Sequence, residues 1–433
     1  MIPKNLMRPD FLKKQRWLGF LGNFNGSVAR ISLIGLLLLG FLASAYLFIP
    51  QMFPAVYRLD DGEAVAGVVG EELASTTTEK VFVATHLPTP KPLRAIYMTS
   101  WVAGTGYWRD SLKKLVKETE LNAVVIDIKD YSGTIAFDIE NSLIDEIAAE
   151  ENRIPDIKEF IVGLHENGIY VIGRMQVFQD PKLVKARPDL AVKRESDGGV
   201  WKDHKGLSWI DAGARFAWDY NAAIAEESYK LGFDEINFDY IRFPSDGNMK
   251  DISYPFSEER IVADPVGGKS AVIREFFSYI REKLHDKGII LSADLFGMTT
   301  TNADDLNIGQ RLEDALSYFD YVAPMVYPSH YPPTFLGYAN PTLYPYEVVK
   351  YSMDSAVVKV NNLLLATTTV SADIGERVSK NQLRPWLQDF DYRAVYGPEE
   401  VRAQIQATYD AGLDSWMLWD AANKYTPSAL LPE

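Results

Sequence analysis

Short apolar segments rich in β-forming residues alternate with longer amphipathic segments along most of this chain, and this alternation is what most constrains its fold. Eight segments have the length and composition of strands: Arg94–Thr99, Ala123–Ile128, Ile169–Met175, Glu235–Asp239, Ile289–Asp294, Tyr321–Val326, Leu383–Gln388 and Ser415–Leu418. Seven helical patterns lie between them: Trp108–Thr119, Ile157–Asn167, Arg215–Leu231, Ala271–Lys287, Ile308–Phe319, Tyr346–Leu364 and Glu399–Ala411. Strands and helices that alternate in this way form parallel sheets. The sequence therefore predicts an α/β fold.

Eight strands favour a closed (β/α)8 barrel, the TIM barrel, over an open sheet. Such a barrel needs roughly 250 residues, and residues 93–433 provide that length with room for loop insertions. A doubly wound open sheet is the alternative. No Gly-x-Gly-x-x-Gly motif follows the first strand, so dinucleotide binding has no support. Little chain follows the eighth strand, so we expect a gap where the last helix of the outer ring would lie.

The first 92 residues are organised differently. Residues 31–50 are almost wholly apolar, and their length is near the roughly 20 residues that cross a bilayer as a helix. Residues 1–30 form a basic leader, whereas acidic residues follow the apolar segment, so the positive-inside rule predicts a single-pass anchor in the cytoplasmic membrane with the rest of the chain extracytoplasmic. Ala43-Ser-Ala45 resembles a signal-peptidase site, which makes secretion after cleavage the alternative. Residues 51–92 have the composition of a linker.

Composition excludes several classes of function. The formal net charge of −15 argues against nucleic-acid binding and makes a strongly anionic polymer a less natural ligand. The chain has no cysteine, so it has neither disulfides nor thiolate metal sites nor a cysteine nucleophile. Its five histidines form no His-x-His or His-Glu-x-x-His pattern, which disfavours a metal site and a metal-dependent deacetylase. We therefore expect neither a metal nor a cofactor.

Polar side chains cluster where the predicted strands end, which is where barrels carry their chemistry. On the fourth strand side chains alternate, so Glu235, Asn237 and Asp239 share one face and Asp239 points toward the barrel mouth. Asp294 ends the fifth strand. The candidates for substrate binding lie at strand ends and in one loop insertion: Asp127, Lys129, Arg174, Trp201, Trp209, Tyr240, Arg242, Tyr327, Gln388, Asp389, Trp419 and Asp420.

Paired carboxylates beside aromatic rings are what glycoside hydrolysis needs, because one carboxyl protonates the leaving oxygen while the other attacks the sugar or activates water. Neighbouring strands lie about 4.8 Å apart, so Asp239 and Asp294 can approach the roughly 5 to 5.5 Å separation of a retaining pair. Asp239 is the predicted nucleophile because Arg174 or Arg242 can keep it ionised. Asp294 is the predicted acid, since its apolar neighbours in sequence would raise its pKa.

Structural roles remain open for each of these residues. An ion pair would explain Asp239, and capping of the following turn would explain Asp294. Asp127, Lys129 and Arg174 could equally form a buried charge network. Trp201 and Trp209 could equally be packing residues. Asp389 and Asp420 are alternative candidates for the catalytic roles.

Several motifs together resemble a known family, the bacterial glycosyl hydrolase domain family within the TIM-barrel glycosidases. They are Ala95-Ile-Tyr-Met-Thr-Ser-Trp101, Val125-Ile-Asp-Ile-Lys-Asp-Tyr-Ser-Gly133, Gly232 to Pro244, Ala323-Pro-Met-Val-Tyr-Pro-Ser-His330, Arg384-Pro-Trp-Leu-Gln-Asp-Phe390 and Trp416-Met-Leu-Trp-Asp420. The resemblance runs from about Lys91 to Tyr425 and implies a barrel with glycosidase activity. A wider similarity to alpha-amylase-like barrels implies an Asp nucleophile on strand four and an acid on strand five. Those enzymes usually place Glu on strand five, where this chain has Asp294.

These observations predict a glycoside hydrolase that cleaves the O-glycosidic bonds of a cell-surface or environmental polysaccharide, with retention of configuration. The alternative is a catalytically inactive barrel that binds glycan. An accessible carboxylate pair in an aromatic cleft favours the enzyme, whereas carboxylates that are all tied in ion pairs favour the binding protein.

Overall fold

Eight parallel strands in sequential order form a closed barrel in the computed structural model, which describes residues 83–367 and 378–432. The strands are β1 (Arg94–Met98), β2 (Ala123–Lys129), β3 (Tyr170–Gln176), β4 (Glu235–Asp239), β5 (Ile290–Phe296), β6 (Tyr321–Met325), β7 (Trp386–Gln388) and β8 (Trp416–Trp419). β8 pairs with β1 and closes the barrel. The predicted (β/α)8 barrel is confirmed, with all eight strands in their expected places.

In the part of the chain that the structure describes, seven helices connect successive strands on the outside of the barrel. They are Gly106–Glu118, Ile157–His165, Arg215–Lys230, Gly268–Leu284, Leu312–Tyr318, Pro345–Thr367 and Pro398–Asp410. The same residues form four shorter helices in the loops: Ser100–Ala103, Ser142–Asp145, Pro181–Ala186 and Glu258–Ala263. The sequence did not predict these four because one to two turns are too short to show helical periodicity.

The described residues after β8 pack against the outside of the barrel. They include a 3-10 turn, Pro427–Ala429. Ala429 and Leu430 are buried, and the carbonyl of Leu431 accepts a hydrogen bond from the Glu120 amide at 2.9 Å. This short segment therefore lies beside the start of β2.

Alternation along β4 explains how the barrel separates its two sides. Ile236 and Phe238 face outward into the large apolar core between strands and helices, where both are fully buried. Glu235, Asn237 and Asp239 face inward, as their spacing predicts. A polar set of side chains thus lies inside the barrel.

The N-terminal end of the barrel is closed by paired charges. Arg384 contacts Glu235 at 2.9 Å, and the Tyr170 hydroxyl donates to the same carboxylate at 3.2 Å. Residues 83–92, the last part of the predicted linker, lie at this end, where the Leu87 amide donates to Asp234 at 2.6 Å. These contacts leave the opposite end for the site.

The predicted basic leader, the anchor at residues 31–50 and most of the linker lie outside the described residues. Within residues 83–367 and 378–432, no helix combines the length and apolarity needed to cross a bilayer.

Candidate active site

A cavity of about 750 Å³ lies at the C-terminal end of the barrel strands. Seven of the predicted site residues line it: Arg174, Asp239, Tyr240, Arg242, Asp294, Tyr327 and Trp419. Arg174, Asp239, Asp294 and Trp419 lie in the C-terminal parts of strands, and the other three lie within three residues after a strand. The backbone of the barrel therefore fixes where each side chain begins. The structure therefore brings both predicted catalytic carboxylates into one cavity.

The Arg174 guanidinium, buried on β3, joins three carboxylates. Its Nη1 donates to Asp127 at 2.7 Å, and its Nη2 and Nε donate to the same oxygen of Asp239 at 2.5 and 3.1 Å. Nε also lies 3.7 Å from an oxygen of Asp294, which is too long for a hydrogen bond. The nearest approach of Asp239 and Asp294 is consequently at most about 6.8 Å, the sum of the two distances from Nε.

β4 and β5 set this spacing through their register. Asn237 pairs with Ser292, and Phe238 pairs with Ala293. Asp239 and Asp294 come next on the two strands, so both side chains project from neighbouring strands at the same level. The Asp239 carboxylate also accepts the backbone amide of Tyr240 at 2.6 Å.

The surroundings of Asp294 favour its protonated form. Burial first, and then the charge of Asp239, raise its pKa to about 8, and Arg174 opposes this rise only in part. Its Oδ1 accepts hydrogen bonds from Asn237 Nδ2 at 2.9 Å and from Trp386 Nε1 at 2.8 Å. Its Oδ2 is the oxygen that faces Arg174. One guanidinium among three carboxylates leaves an excess of negative charge, and a proton on Asp294 removes part of it.

Aromatic rings form one wall of the site. The Trp419 ring lines the cavity, stacks on Tyr97 with 3.9 Å between ring centroids, and lies 4.9 Å from the Arg174 guanidinium. The Tyr97 hydroxyl donates to Asp127 at 2.5 Å. A flat apolar face beside ionised groups is suited to the face of a sugar ring.

Tyr240 has an unusual backbone at the end of β4. Its φ of 52° lies in the left-handed region, which is unfavourable for a residue with a bulky side chain. In this conformation its amide reaches back to Asp239 and its ring packs beside Trp209, with 5.8 Å between centroids. The sharp turn thus keeps the nucleophile candidate at the cavity surface.

The other predicted site residues lie outside the cavity lining. Asp127 lies behind Arg174 and Tyr97. Lys129 faces away from the mouth, where it contacts Asp180 and Asn221, each at 2.7 Å, in full burial. Asp127 and Lys129 each belong to a buried charge pair, which is one of the two roles that the sequence allowed. Asp127 pairs with Arg174, and Lys129 pairs with Asp180.

Three polar candidates hold the loops around the mouth. Gln388 accepts from the Ser329 amide at 3.2 Å. Asp389 binds the amide and hydroxyl of Thr426 at 2.9 and 2.6 Å, and burial raises its pKa to about 6. Asp420 accepts the amide of Ala422 at 2.6 Å.

The insertion that contains Trp201 and Trp209 reaches the cavity through a different residue. Both indoles are buried. The Trp201 indole donates a hydrogen bond to the carbonyl of Asn248, and the Trp209 indole donates one to Asp203, each at 3.1 Å. Lys205 of the same insertion lines the cavity. The insertion is part of the cavity wall, while its two tryptophans lie beneath the surface.

Sequence reasoning missed three residues that shape the carboxylate pair: Tyr97, Asn237 and Trp386. The alternation that selected Asp239 also placed Asn237 on its face, so this signal was present. No local pattern indicates the contact between Trp386 and Asp294, because it joins two strands that are not adjacent in the barrel. In the described part of the chain, no group of three or more His, Asp or Glu side chains has an arrangement that could hold a metal ion.

Comparisons with known proteins match this chain to one family model and to solved structures. The family model described as "Putative glycosyl hydrolase domain" matches residues 95–425. A hypothetical protein of known crystal structure from Ruminiclostridium thermocellum is 37% identical, with 46% of this chain and 96% of that chain covered and a TM-score of 0.41. The glycoside hydrolase domain of PgaB (BpsB) from Bordetella bronchiseptica is 15% identical, with 77% and 95% covered and a TM-score of 0.53, a likeness of fold. No curated protein matches the chain.

Proposed function

The chain belongs to the family of glycosyl hydrolase domains, and from this premise we propose that it hydrolyses O-glycosidic bonds of a polysaccharide in the cavity at the barrel mouth. The observation that carries the proposal is the unequal pair of carboxyl groups. Asp239 is paired with a guanidinium, whereas burial and a neighbouring negative charge raise the pKa of Asp294 to about 8. Two carboxyl groups in such different surroundings are suited to opposite roles, nucleophile and acid.

The spacing of the pair supports a retaining mechanism. Retaining glycosidases have carboxyl groups about 5 to 5.5 Å apart, while inverting enzymes need roughly 6.5 to 9.5 Å to hold a water molecule between carboxyl and sugar. The upper limit of about 6.8 Å between the Asp239 and Asp294 oxygens reaches only the lower edge of the inverting range.

In the proposed first step, an oxygen of Asp239 attacks the anomeric carbon while Asp294 gives its proton to the glycosidic oxygen, and the bond between that carbon and oxygen breaks. In the second step, the ionised Asp294 takes a proton from water as the water displaces Asp239 from the sugar. Asp294 ends protonated and Asp239 ends ionised, so the site returns to its first state. Arg174 stabilises the charge of Asp239 before and after the covalent intermediate.

Incubation of the purified full-length protein with a panel of polysaccharides tests the proposal. We expect new reducing ends with at least one polymer, and proton NMR of the first product should show the anomeric configuration of the substrate. Loss of product in Asp239→Asn, with polymer binding kept, would assign the activity to this site.

A glycan-binding barrel without activity is the second candidate, and one observation favours it. Arg174 places two N–H donors on the same oxygen of Asp239, so the nucleophile candidate is held in a buried ion pair. Binding of a polymer without any new reducing ends, in wild-type protein and in Asp239→Asn alike, would support this candidate and contradict the hydrolase.

We also propose that the domain acts outside the cytoplasm, tethered to the cytoplasmic membrane by residues 31–50. The support is the apolar segment and the excess of basic residues before it.

A further inference from the structure

Arg242 is a buried cation without a carboxylate partner. Four cationic side chains in the described residues are almost fully buried: Lys129, Arg174, Arg242 and Arg384. The other three each contact a carboxylate within 2.9 Å. In residues 83–367 and 378–432, the guanidinium of Arg242 has only neutral partners, through its Nη1: the carbonyl of Phe243 at 3.0 Å and the hydroxyl of Ser245 at 3.3 Å.

Three aromatic rings hold this guanidinium in place. Its central carbon lies 4.9 Å from the Trp209 ring, 5.0 Å from the Tyr240 ring and 4.9 Å from the Phe296 ring. Contacts with ring faces offset part of the cost of burying the charge. An unpaired buried charge is nonetheless unfavourable, and burial lowers the pKa of Arg242 accordingly. A group that is retained at such a cost points to a ligand.

The free edge of Arg242 fits a particular chemistry. Nη1 is occupied, so Nε and Nη2 remain, and the two lie side by side in one plane. That edge gives two parallel N–H donors, the geometry that binds a carboxylate through both of its oxygens. Arg242 lines the same cavity as Asp239 and Asp294.

The charges around Arg242 favour an anion. Besides Arg174, the cavity is lined by Lys205 and Arg393, both exposed, whereas Asp239 and Asp294 supply the only carboxyl groups among the described residues of its lining. Arg174 pairs with the first, and a proton neutralises the second at neutral pH.

Three carboxylates lie near this group, those of Asp239, Asp246 and Asp203, and all three are already engaged. Asp239 pairs with Arg174. Asp203 accepts the indole of Trp209 at 3.1 Å and the amide of Leu207 at 2.9 Å, and Asp246 accepts the amide of His204 at 3.2 Å. The wall is therefore cationic, although the whole chain has a formal charge of −15.

We propose that Arg242 binds the carboxylate of an acidic sugar, so that the substrate is a polysaccharide that contains uronic acid or another carboxylate-bearing unit. This inference rests on the proposed function for the identity of the ligand as a glycan. The net charge of the chain made an anionic polymer a less natural ligand. The proposal reverses that expectation, because the ligand contacts the charges of the cavity wall.

Equilibrium binding separates this proposal from the hydrolase itself. The probes are polygalacturonate and alginate, each paired with the same polymer after its carboxyl groups have been reduced to alcohols. Wild-type protein should bind at least one acidic polymer more tightly than its reduced form, and Arg242→Gln should weaken only the acidic form, by about 10- to 100-fold for the loss of charge-assisted hydrogen bonds. Arg242→Lys keeps the charge but loses the two parallel N–H donors. Its affinity for the acidic polymer should therefore lie between those of wild type and Arg242→Gln.

Arg215→Gln is the matched control, because Arg215 also packs on an aromatic ring, that of Trp218 at 3.7 Å, but lies on an outer helix. It should bind both forms as wild type does. If Arg242→Gln fails to fold, as judged by circular dichroism, Lys205→Gln and Arg393→Gln replace it, since both side chains are exposed. Each should lower the preference for the acidic form by a few fold.

Equal binding of both forms by wild-type protein would overturn the proposal, as would an equal loss for both forms in Arg242→Gln. A preference for a sulfated polymer alone would overturn the carboxylate assignment. Selective binding of an acidic polymer without new reducing ends would support this subsite and contradict the hydrolase, while cleavage of neutral polymers only would do the opposite.

Discussion

Replacement of Asp294 by Asn should stabilise the fold at neutral and alkaline pH, while it lowers the turnover of substrates with poor leaving groups most strongly. Asn has the shape of a protonated Asp: its oxygen can accept from Asn237 and Trp386 as Oδ1 does now. Its amide nitrogen would then take the place of Oδ2, which lies 3.7 Å from Arg174 Nε. The variant therefore keeps the uncharged state of the site at every pH.

The magnitude follows from the pKa of Asp294, which burial and Asp239 raise from 3.8 to about 8. Below 3.8 the group is protonated in the folded and unfolded chain alike, so it contributes nothing to the pH dependence. Between the two values only the unfolded chain loses its proton, and the folded state loses stability by up to about 1.4 kcal/mol for each pH unit. The total loss of stability approaches an upper limit of about 6 kcal/mol once the pH exceeds the pKa of the folded state. Movement of Arg174 toward the ionised Asp294 carboxylate would reduce this loss of stability.

Urea unfolding of wild type and Asp294→Asn at about pH 5 and about pH 8 measures this difference. We expect the advantage of Asn to grow with pH, by up to about 1.4 kcal/mol per unit. Asp286→Asn is the control, because the Asp286 side chain is 97% exposed, and it should show no such growth. An Asn variant that is less stable than wild type at about pH 8, or whose advantage shrinks as pH rises, would refute the reasoning.

Three further predictions concern the chemistry and the topology. Asp239→Asn should lower turnover by several orders of magnitude with folding and polymer binding unchanged. Azide should partly restore the activity of Asp294→Ala on an activated aryl glycoside and give a glycosyl azide of retained configuration. A glycosyl azide of inverted configuration would contradict the assignment. Wild-type activity should fall as pH rises through about 8, the pKa of Asp294. Trp386→Phe removes a donor to that carboxyl, so the fall should move to higher pH by about one unit, and an unshifted profile would contradict this role. A reporter that works only outside the cytoplasm should be active when it is fused to the C-terminus. Activity of a reporter that works only in the cytoplasm would contradict the predicted topology.

The sequence predicted the barrel because strand and helix periodicities are local signals. The apolar residues of β4 alternate with polar ones within five residues, and that pattern is enough to place Asp239 on the inner face. The same locality explains the extra short helices, such as Ser100–Ala103, which are below the length that shows a period.

The division of roles inside the site was harder to predict, because it depends on contacts between distant parts of the chain. Arg174 or Arg242 could have paired with Asp239, and only the register of β3 and β4, where Arg174 lies opposite Asn237, shows that Arg174 is the partner. The tryptophans of the insertion show the same limit, since a local pattern cannot distinguish a ring in a cavity wall from one buried beneath it.

The two ends of the barrel contain the same kinds of charged residue, but the central groups at each end have different contacts. At the N-terminal end, Glu235 and Arg384 form a closed pair at 2.9 Å. At the C-terminal end, Asp294 has a pKa of about 8, Tyr240 has a φ of 52°, and Arg242 is buried without a counter-ion in the described residues. Burial alone does not explain this contrast, because both sets are buried. Unfavourable states that gather at one cavity are typical of sites where they serve binding or chemistry, and this clustering favours an active barrel mouth over a purely structural one.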